Sequence, residues 1–258
     1  MTQSALKSTA LDIGFGTSKK TTCICRQVSF NLNKGELVCL LGRNGSGKST
    51  LLKTLSKILP PLSGSIEIYE KNIKNVSSKE LALLISVVLT EKTLETSLTV
   101  YETIALGRQP HTNWIGKLSN NDINHIEASM ALTETKDLSN KLTHQLSDGQ
   151  LQRVMIARAL AQDTPVILLD EPTSHLDIHH KINTFRILSK ICKKTQKTVL
   201  ISTHEINLAL KNSDRLLLID QSELSIGKPN DTKIQKRLTT IFNSEDIRYD
   251  LNTNQFVF

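Results

Sequence analysis

The fold is decided by ELVCLLGRNGSGKSTLLKTLSKIL, residues 36–59, in which a glycine-rich turn joins an apolar run to a helix pattern. The run ELVCLL has the length of a buried strand, and the apolar residues after the turn recur at helical spacing. The turn itself, GRNGSGKS at residues 42–49, fits the phosphate-loop pattern G-x-x-x-x-G-K-[S/T] in the strand, loop and helix setting that this pattern requires. The stretch therefore predicts an α/β unit that holds phosphates at a helix N-terminus.

Each residue type in this loop has a physical reason to be there. Glycines let the backbone N–H groups turn inward around phosphate oxygens, at a helix end whose partial positive charge favours anions. Lys48 is predicted to reach the terminal phosphates, and Ser49 to offer its hydroxyl to Mg²⁺. The loop residues predicted to bind the nucleotide are Gly42, Asn44, Gly45, Ser46, Gly47, Lys48, Ser49 and Thr50.

Polar groups also follow two later apolar runs. The run VILLDE, residues 166–171, ends in adjacent carboxylates. Because successive strand side chains point to opposite faces, we expect Asp170 to face a magnesium ion and Glu171 to act as the general base. His204 ends the next run, VLISTH, where parallel α/β sheets place ligand groups. Contact with a γ-phosphate and an ordinary structural role both remain open for this histidine.

Composition limits the class of protein. The chain has 258 residues, 38% of them apolar, which is enough for an ordinary core. Its longest apolar stretch, residues 82–89, is far shorter than the roughly 20 residues that cross a bilayer, and no secretory signal is evident at the N-terminus. Four cysteines do not make a disulfide framework, so Cys39 is expected as a reduced, buried thiol. We therefore expect a cytoplasmic protein.

The net charge of +7 does not by itself predict a nucleic-acid partner. The basic residues are dispersed, and aromatic residues make up only 4% of the chain, which is poor for base stacking. We expect a solvated basic surface and no nucleic acid.

The remaining chain shows how these motifs are organised. Three nearly continuous apolar runs, at residues 166–170, 198–203 and 215–220, are typical of parallel strands covered on both faces. From Thr93 to about Gln162 the pattern is polar and helix-like, which predicts a helical insertion. After about Ile226 the chain is polar and has little pattern.

As a set, GRNGSGKST, LSDGQLQRVMIARAL, VILLDEPTSHLD and STHE resemble the Walker A, signature, Walker B with D-loop, and switch-histidine motifs of ABC ATPases. The resemblance covers nearly the whole chain. It implies a P-loop NTPase of α/β class, with ATP and Mg²⁺ as cofactors. It also implies a RecA-like, mostly parallel core at residues 1–90 and 161–225 with an antiparallel β edge, a helical subdomain at 91–160 and a C-terminal tail at 226–258.

The resemblance further implies that two subunits close head to tail around two ATP molecules. In that arrangement Ser147, Gly149 and Gln150 of the signature hold a phosphate bound to the other subunit. Asp177 of the D-loop helps to couple the two sites. Phe15 stands at the position where the family stacks an aromatic ring on adenine, with an ordinary core phenylalanine as the alternative.

Two positions depart from the family pattern, and three histidines lie close together in the D-loop region. Thr90 stands where the family usually has a glutamine that helps to hold magnesium and the attacking water. We expect Thr90 to reach the metal through a water or to leave that role to Glu91. Asp148 replaces the usual signature glycine and is expected to face away from the γ-phosphate or toward a basic neighbour. The cluster in HLDIHH, residues 175–180, leaves both a zinc site and a dimer interface open.

The segments ISVVLTE and LTVYETIALGRQPHTNW resemble the ATPase subunits of importers for iron-siderophore, haem or cobalamin. This resemblance implies a homodimer on the cytoplasmic face of the plasma membrane, bound to two separate permease subunits. A periplasmic or lipoprotein substrate-binding protein would take part indirectly. The alternative is a soluble ABC ATPase, such as one serving iron–sulfur cluster assembly. A small-molecule P-loop kinase would lack the LSDGQ and SHLD segments.

Overall fold

Two main sheets, with helices between and around them, build the protein. The computed structural model describes residues 3–17, 20–90, 97–220, 223–244, 247–250 and 253–257. The strands in this part of the chain are β1 (Ser4–Thr17), β2 (Lys20–Asn33), β3 (Leu37–Leu41), β4 (Ser63–Ile68), β5 (Lys71–Asn72), β6 (Ile85–Val88), β7 (Val166–Asp170), β8 (Thr198–Ser202), β9 (Arg215–Asp220), β10 (Glu223–Gly227), β11 (Arg248–Asp250) and β12 (Gln255–Val257). The α-helices are α1 (Lys48–Leu55), α2 (Ser78–Leu84), α3 (Val100–Ala105), α4 (Asn120–Leu132), α5 (Asp148–Ala161), α6 (Ile178–Thr195), α7 (Ile206–Asn212) and α8 (Thr232–Phe242).

The larger sheet has the strand order β10-β9-β3-β8-β7-β6. Its strands run parallel except β10, which pairs with β9 in the antiparallel sense. All residues of β3, β7 and β8 are buried, as expected for apolar runs covered by helices on both faces. The predicted α/β class with a mostly parallel sheet is confirmed. The carboxyl ends of β3, β7 and β8 lie side by side and carry the predicted motifs.

A second, antiparallel sheet with the order β2-β1-β4-β5 forms the predicted β edge. Its long β1–β2 hairpin reaches the glycine-rich loop. A Cβ atom built on Gly47 would lie 2.6 Å from a side-chain carbon of Ile24, and Gly47 has φ +101°. Only glycine satisfies both this contact and this backbone angle. The hairpin therefore fixes the loop immediately before α1.

Helices α3, α4 and α5 pack on one another around an apolar cluster that is separate from the core of the central sheet. Arg108, which is almost fully buried, ties them together. Its Nε donates to Asp122 Oδ1 at the start of α4 (2.9 Å), and its Nη1 donates to the carbonyl of Ala161 at the end of α5 (2.6 Å). These helices fall within the predicted helical insertion. The division of the chain into a core, a helical subdomain and a tail stays a prediction.

The C-terminal region contains a helix that was not predicted from the sequence. Helix α8 buries Ile234, Leu238 and Ile241 against the central sheet. These three residues have the i, i+4, i+7 spacing of an amphipathic helix, a signal that the description of this segment as polar with little pattern missed. The loop residue Arg43 is also tied to this helix, since its Nε donates to Ile241 O (2.9 Å).

The cysteines are free thiols. Cys25, Cys39 and Cys192 are buried, whereas Cys23 is partly exposed. Burial raises the pKa of Cys39 to about 12, so this thiol stays protonated, in agreement with the expected reduced core cysteine. None of the helices in the described ranges has the length and apolarity needed to cross a lipid bilayer.

Candidate functional site

The phosphate loop lies between the end of β3 and the start of α1. Lys48 is 5% exposed, and its Nζ donates to the loop carbonyls of Gly42 (3.0 Å) and Arg43 (3.3 Å). Burial lowers the pKa of this lysine, while the carboxylates of Glu171 and Asp170 act in the opposite direction. The ammonium group is thus held inside the loop, between its backbone and the two acidic residues.

The loop also contains a polar atom that suits an anionic ligand. Ser46 Oγ is buried and has no hydrogen-bond partner among the described residues. Buried hydroxyl groups are normally paired, so an unpaired one inside a phosphate-loop motif fits a phosphate oxygen as its partner. Asn44 and Gly45 at the tip are exposed. Gly45 has φ +76°, which favours glycine.

A set of oxygen donors lies next to the loop. Ser49 Oγ is 3.2 Å from Asp170 Oδ1, so the predicted metal ligands from α1 and β7 meet. Hydroxyl and carboxylate oxygens are the hard ligands that Mg²⁺ prefers, and the donor set therefore fits this ion. Ser202 Oγ donates to the same carboxylate oxygen (2.6 Å). Sequence reasoning missed Ser202, although the parallel pairing of β7 with β8 places it opposite Asp170.

Glu171 and His204 are brought together at the ends of β7 and β8. His204 Nε2 lies 2.6 Å from Glu171 Oε1. Glu171 has φ +48°, a left-handed conformation that costs a non-glycine residue about 1–2 kcal/mol. Strain of this kind at a charged residue beside a phosphate loop is typical of functional sites.

Thr90 takes part in the site through the main chain. Its Oγ1 donates to the backbone carbonyl of Asp170 at 2.9 Å. The hydroxyl hydrogen is therefore directed at the peptide and not at the carboxylate that faces Ser49. The predicted metal role of Thr90 stays a prediction. Glu91, the residue named as its substitute, lies outside the described residues.

The signature segment begins helix α5. Ser147 caps the helix by accepting from the Gln150 N–H, while the Gln150 side chain accepts from the Ser147 N–H. Gly149 is buried beneath His180: a Cβ atom at Gly149 would lie 1.9 Å from His180 Cδ2. Ser147 and Asp148 are exposed. The start of α5 thus presents a helix N-terminus to the surface, as an anion site requires.

The D-loop aspartate lies at the start of the neighbouring helix. Asp177 caps α6, because its Oδ1 accepts from the His180 N–H at 2.9 Å. This hydrogen bond lowers the pKa of the Asp177 carboxyl, which stays ionised at neutral pH. His180 therefore contacts both the signature glycine and the D-loop. This link between the two motifs has no signal in the sequence.

Phe15 and the histidines of residues 175–180 lie on the surface. Phe15 is 53% exposed on β1, which excludes the core alternative, and its stacking on adenine stays a prediction. Within the ranges that the structure describes, no three His, Cys, Asp or Glu side chains are grouped so that they could hold a metal ion. His175, His179 and His180 are exposed. Thr50 follows Ser49 in the first turn of α1.

Comparison with known proteins agrees with this geometry. The family model described as ABC transporter matches residues 25–174. The iron(3+)-hydroxamate import ATP-binding protein of Bacillus subtilis is 33% identical over 215 residues, which cover 83% of this chain and 78% of that protein.

Two solved structures show the same architecture. One is an ABC transporter of the metal-chelate type in an inward-facing conformation, with a TM-score of 0.78 and 29% identity over 92% of this chain and 88% of the other. The second is a dimeric ATP-binding cassette in a post-hydrolysis state with bound ADP and phosphate. It has a TM-score of 0.73 and 28% identity, and covers 86% of this chain and 98% of the other.

The family model covers more than half of the chain, and it includes both the phosphate loop and the strand that carries Asp170. The predicted resemblance is therefore confirmed: the chain belongs to the ABC transporter family and is an ABC ATPase.

Proposed function

We propose that this chain is the ATP-hydrolysing subunit of an ABC importer for an iron-siderophore, or for a haem or cobalamin type of substrate. One observation carries the catalytic part: Lys48, Asp170, Glu171 and His204 converge at the carboxyl edge of the central sheet. The importer part is supported by the Bacillus relative named for iron(3+)-hydroxamate import. The relatives described above do not support a soluble cluster-assembly ATPase.

In the proposed reaction the phosphate loop binds the nucleotide. Backbone N–H groups of residues 42–50, Ser46 Oγ and the Lys48 ammonium would hold the phosphates of ATP. Ser49 and Asp170 would hold Mg²⁺, which would supply positive charge to the β- and γ-phosphates. Most of the catalysis then comes from positioning and from charge stabilisation.

Glu171 acts as the general base in this proposal. It accepts a proton from the water that attacks the γ-phosphate. His204, whose Nε2 lies 2.6 Å from the Glu171 carboxylate, contacts the γ-phosphate. The reaction consumes water and yields ADP and phosphate. The neighbouring Ser202 keeps the Asp170 carboxylate aligned through its hydroxyl.

The signature at the start of α5 implies a second subunit. Its exposed helix N-terminus would bind the phosphates of an ATP molecule held by the other copy of the chain, with Asp177 between the two sites. A related cassette forms a dimer with ADP and phosphate bound. We propose a homodimer at the cytoplasmic face of the plasma membrane, bound to two permease subunits and served by a separate substrate-binding protein.

Uptake measurements test this function. The chain is purified from its host's membranes by an affinity tag, reconstituted into liposomes with the permease that accompanies it, and supplied with a ferric hydroxamate. ATP-dependent accumulation of iron inside the vesicles is expected, and Lys48→Ala should abolish it, since removing the ammonium weakens phosphate binding. Recovery of soluble partners alone, with no permease and no uptake, would contradict the importer assignment.

A further inference from the structure

Hydroxyl groups hold the backbone on both sides of Glu171. Thr90 Oγ1 donates to the Asp170 carbonyl (2.9 Å), and the Glu171 N–H donates to Ser202 Oγ (2.9 Å) and to the Ser202 carbonyl (3.1 Å). On the other side, Ser174 Oγ donates to the Glu171 carbonyl (2.9 Å). Both peptide groups that flank Glu171 are therefore fixed by specific partners.

These bonds maintain a backbone conformation that Glu171 would not choose by itself. Its φ of +48° lies in the left-handed region, so relaxation would turn the Asp170–Glu171 peptide about the N–Cα bond. That turn would move the Asp170 carbonyl away from Thr90. The angle φ also sets the direction of the Cα–Cβ bond. The same turn would therefore move the Glu171 carboxylate away from His204, whose Nε2 lies 2.6 Å from Glu171 Oε1. The orientation of the Glu171 carboxylate is thus linked to the hydrogen bond from Thr90 to the Asp170 carbonyl.

The strand pairing explains why Thr90 can reach this peptide. Strands β6 and β7 are parallel, and Val88 pairs with Leu169. Two residues beyond Val88, Thr90 lies beside the end of β7, where its side chain meets the peptide that follows the strand. The contact comes from the neighbouring strand on one side of β7, whereas Ser202 supplies its contact from β8 on the other. The peptide is therefore held by residues from both neighbouring strands.

We propose that Thr90 is a positioning residue for the general base and acts through the Asp170–Glu171 peptide, not as a metal ligand. Thr90 Oγ1 contacts the main-chain carbonyl of Asp170, on the peptide that leads to Glu171, whereas Ser49 Oγ contacts the Asp170 carboxylate that is predicted to hold the metal. The inference rests on the proposed role of Glu171. In this proposal the orientation of the Glu171 carboxylate depends on the segment that follows β6.

The test compares Thr90→Val, which removes the hydroxyl but keeps the shape, with Thr90→Ser, which keeps the hydroxyl. Steady-state hydrolysis by Thr90→Val should show kcat lowered roughly five- to tenfold with an unchanged KM for ATP, as loss of one hydrogen bond in the transition state predicts. Thr90→Ser should recover most of the rate. In a Glu171→Gln background, single-turnover hydrolysis should change less than about twofold when Thr90→Val is added, because the affected group is already absent.

Binding measurements separate this role from a metal role. Calorimetric titration of a non-hydrolysable ATP analogue is carried out with Mg²⁺ and with a chelator. Thr90→Val should preserve the gain in affinity that Mg²⁺ provides, whereas Ser49→Ala should reduce it. A loss of that gain in Thr90→Val comparable to Ser49→Ala would overturn the proposal in favour of a metal ligand.

A matched control removes another threonine hydroxyl. Thr195 at the carboxyl end of α6 donates to the Ile191 carbonyl (2.7 Å) and precedes the start of β8, at the opposite edge of the central sheet from the site, so Thr195→Val should leave kcat unchanged. If Glu171→Gln is inactive but Thr90→Val keeps the wild-type kcat, the positioning role of Thr90 is refuted and the role of Glu171 stands. Retained hydrolysis in Glu171→Gln would instead refute the role of Glu171, and with it the role of Thr90.

Discussion

At the scale of single residues, strain and chemistry coincide at Glu171. Its left-handed backbone is stabilised by the hydrogen bond that the Glu171 N–H donates to Ser202 and by those that Ser174 and Thr90 donate to the flanking carbonyls. The carboxylate is thereby held against His204. A base that is already oriented loses little entropy when the reaction begins.

Glu171→Gln should separate binding from hydrolysis. The amide keeps the size of the side chain but cannot accept the proton of the attacking water, so ATPase turnover should fall at least roughly 100-fold. Nucleotide affinity should stay near that of the wild type, because the phosphate loop is untouched. Phosphate release and calorimetric titration measure the two quantities. Size-exclusion chromatography with ATP should show an accumulated dimer; unchanged turnover would rule out Glu171 as the base.

At the scale of elements, the start of α5 and the start of α6 depend on each other. His180 of α6 covers Gly149 so closely that a methyl group there would require the ring to move. The same histidine donates its N–H to the D-loop carboxylate of Asp177. We therefore expect a substitution at Gly149 to displace His180 and, through it, to change the position of Asp177.

Gly149→Ala should weaken nucleotide-dependent dimer formation without weakening ATP binding to the monomer. The added methyl displaces His180 and disturbs the helix start that is proposed to receive the phosphate of the second subunit. Analytical ultracentrifugation, carried out in the Glu171→Gln background with ATP, measures the dimer. Adding His180→Ala should relieve the conflict and restore part of the association. No rescue by the second change would show that His180 is not the cause.

The buried pair of Arg108 and Asp122 supports the helices α3–α5. Hydrogen bonds from Ser119, together with Arg108, lower the pKa of the Asp122 carboxyl to about 2, from an ordinary 3.8. A carboxyl with a lowered folded pKa contributes stability that is fully present above about pH 4 and is lost as pH falls toward 2.

Asp122→Asn should destabilise the protein by roughly 2–4 kcal/mol near neutral pH, because a buried guanidinium loses its charged partner. The difference from the wild type should narrow as pH falls from 4 through 2, because the wild-type Asp122 carboxyl then takes up a proton and becomes neutral, as the asparagine already is. Urea unfolding at a series of pH values measures it. As a control, Asp137→Asn at an exposed position should have little effect at any pH. A constant difference across this range would exclude the ion pair as its source.

At the scale of the whole molecule, α8 closes one side of the central sheet and reaches the phosphate loop. Ile234, Leu238 and Ile241 join the same apolar cluster as β3, β8 and β9, and the carbonyl of Ile241 accepts from Arg43. The C-terminal region is therefore part of the fold that holds the site.

Leu238→Ala should lower the free energy of unfolding by about 2–4 kcal/mol, the usual cost of a cavity at a fully buried leucine. Lys236→Ala, on the exposed face of the same helix, is the matched control and should change it by less than about 0.5 kcal/mol. Thermal and urea unfolding measure both. Equal, small effects would mean that α8 does not belong to the cooperative core.

The sequence predicted the central sheet and the loop well, because buried parallel strands leave apolar runs and the loop has a fixed pattern of glycines. Helix α8 was not predicted, although its buried residues Ile234, Leu238 and Ile241 have the spacing of an amphipathic helix in the sequence. Nor did the sequence predict Ser202 or the contact of His180 with Gly149, since these depend on the pairing of β7 with β8 and on how two helices meet. Thr90 was recognised as a departure, but its bond to a main-chain carbonyl is visible only in three dimensions.

The distribution of the cysteines has a practical consequence for spectroscopy. Three of the four cysteine thiols are buried, and the fourth, Cys23, is partly exposed. A single Cys23→Ser change would therefore leave only buried thiols, which react slowly with thiol-specific labels. A fluorophore or spin label could then be placed at exposed Asp137, between α4 and the signature, through an introduced cysteine. Distances between two such labels would follow the approach of the subunits during turnover in real time.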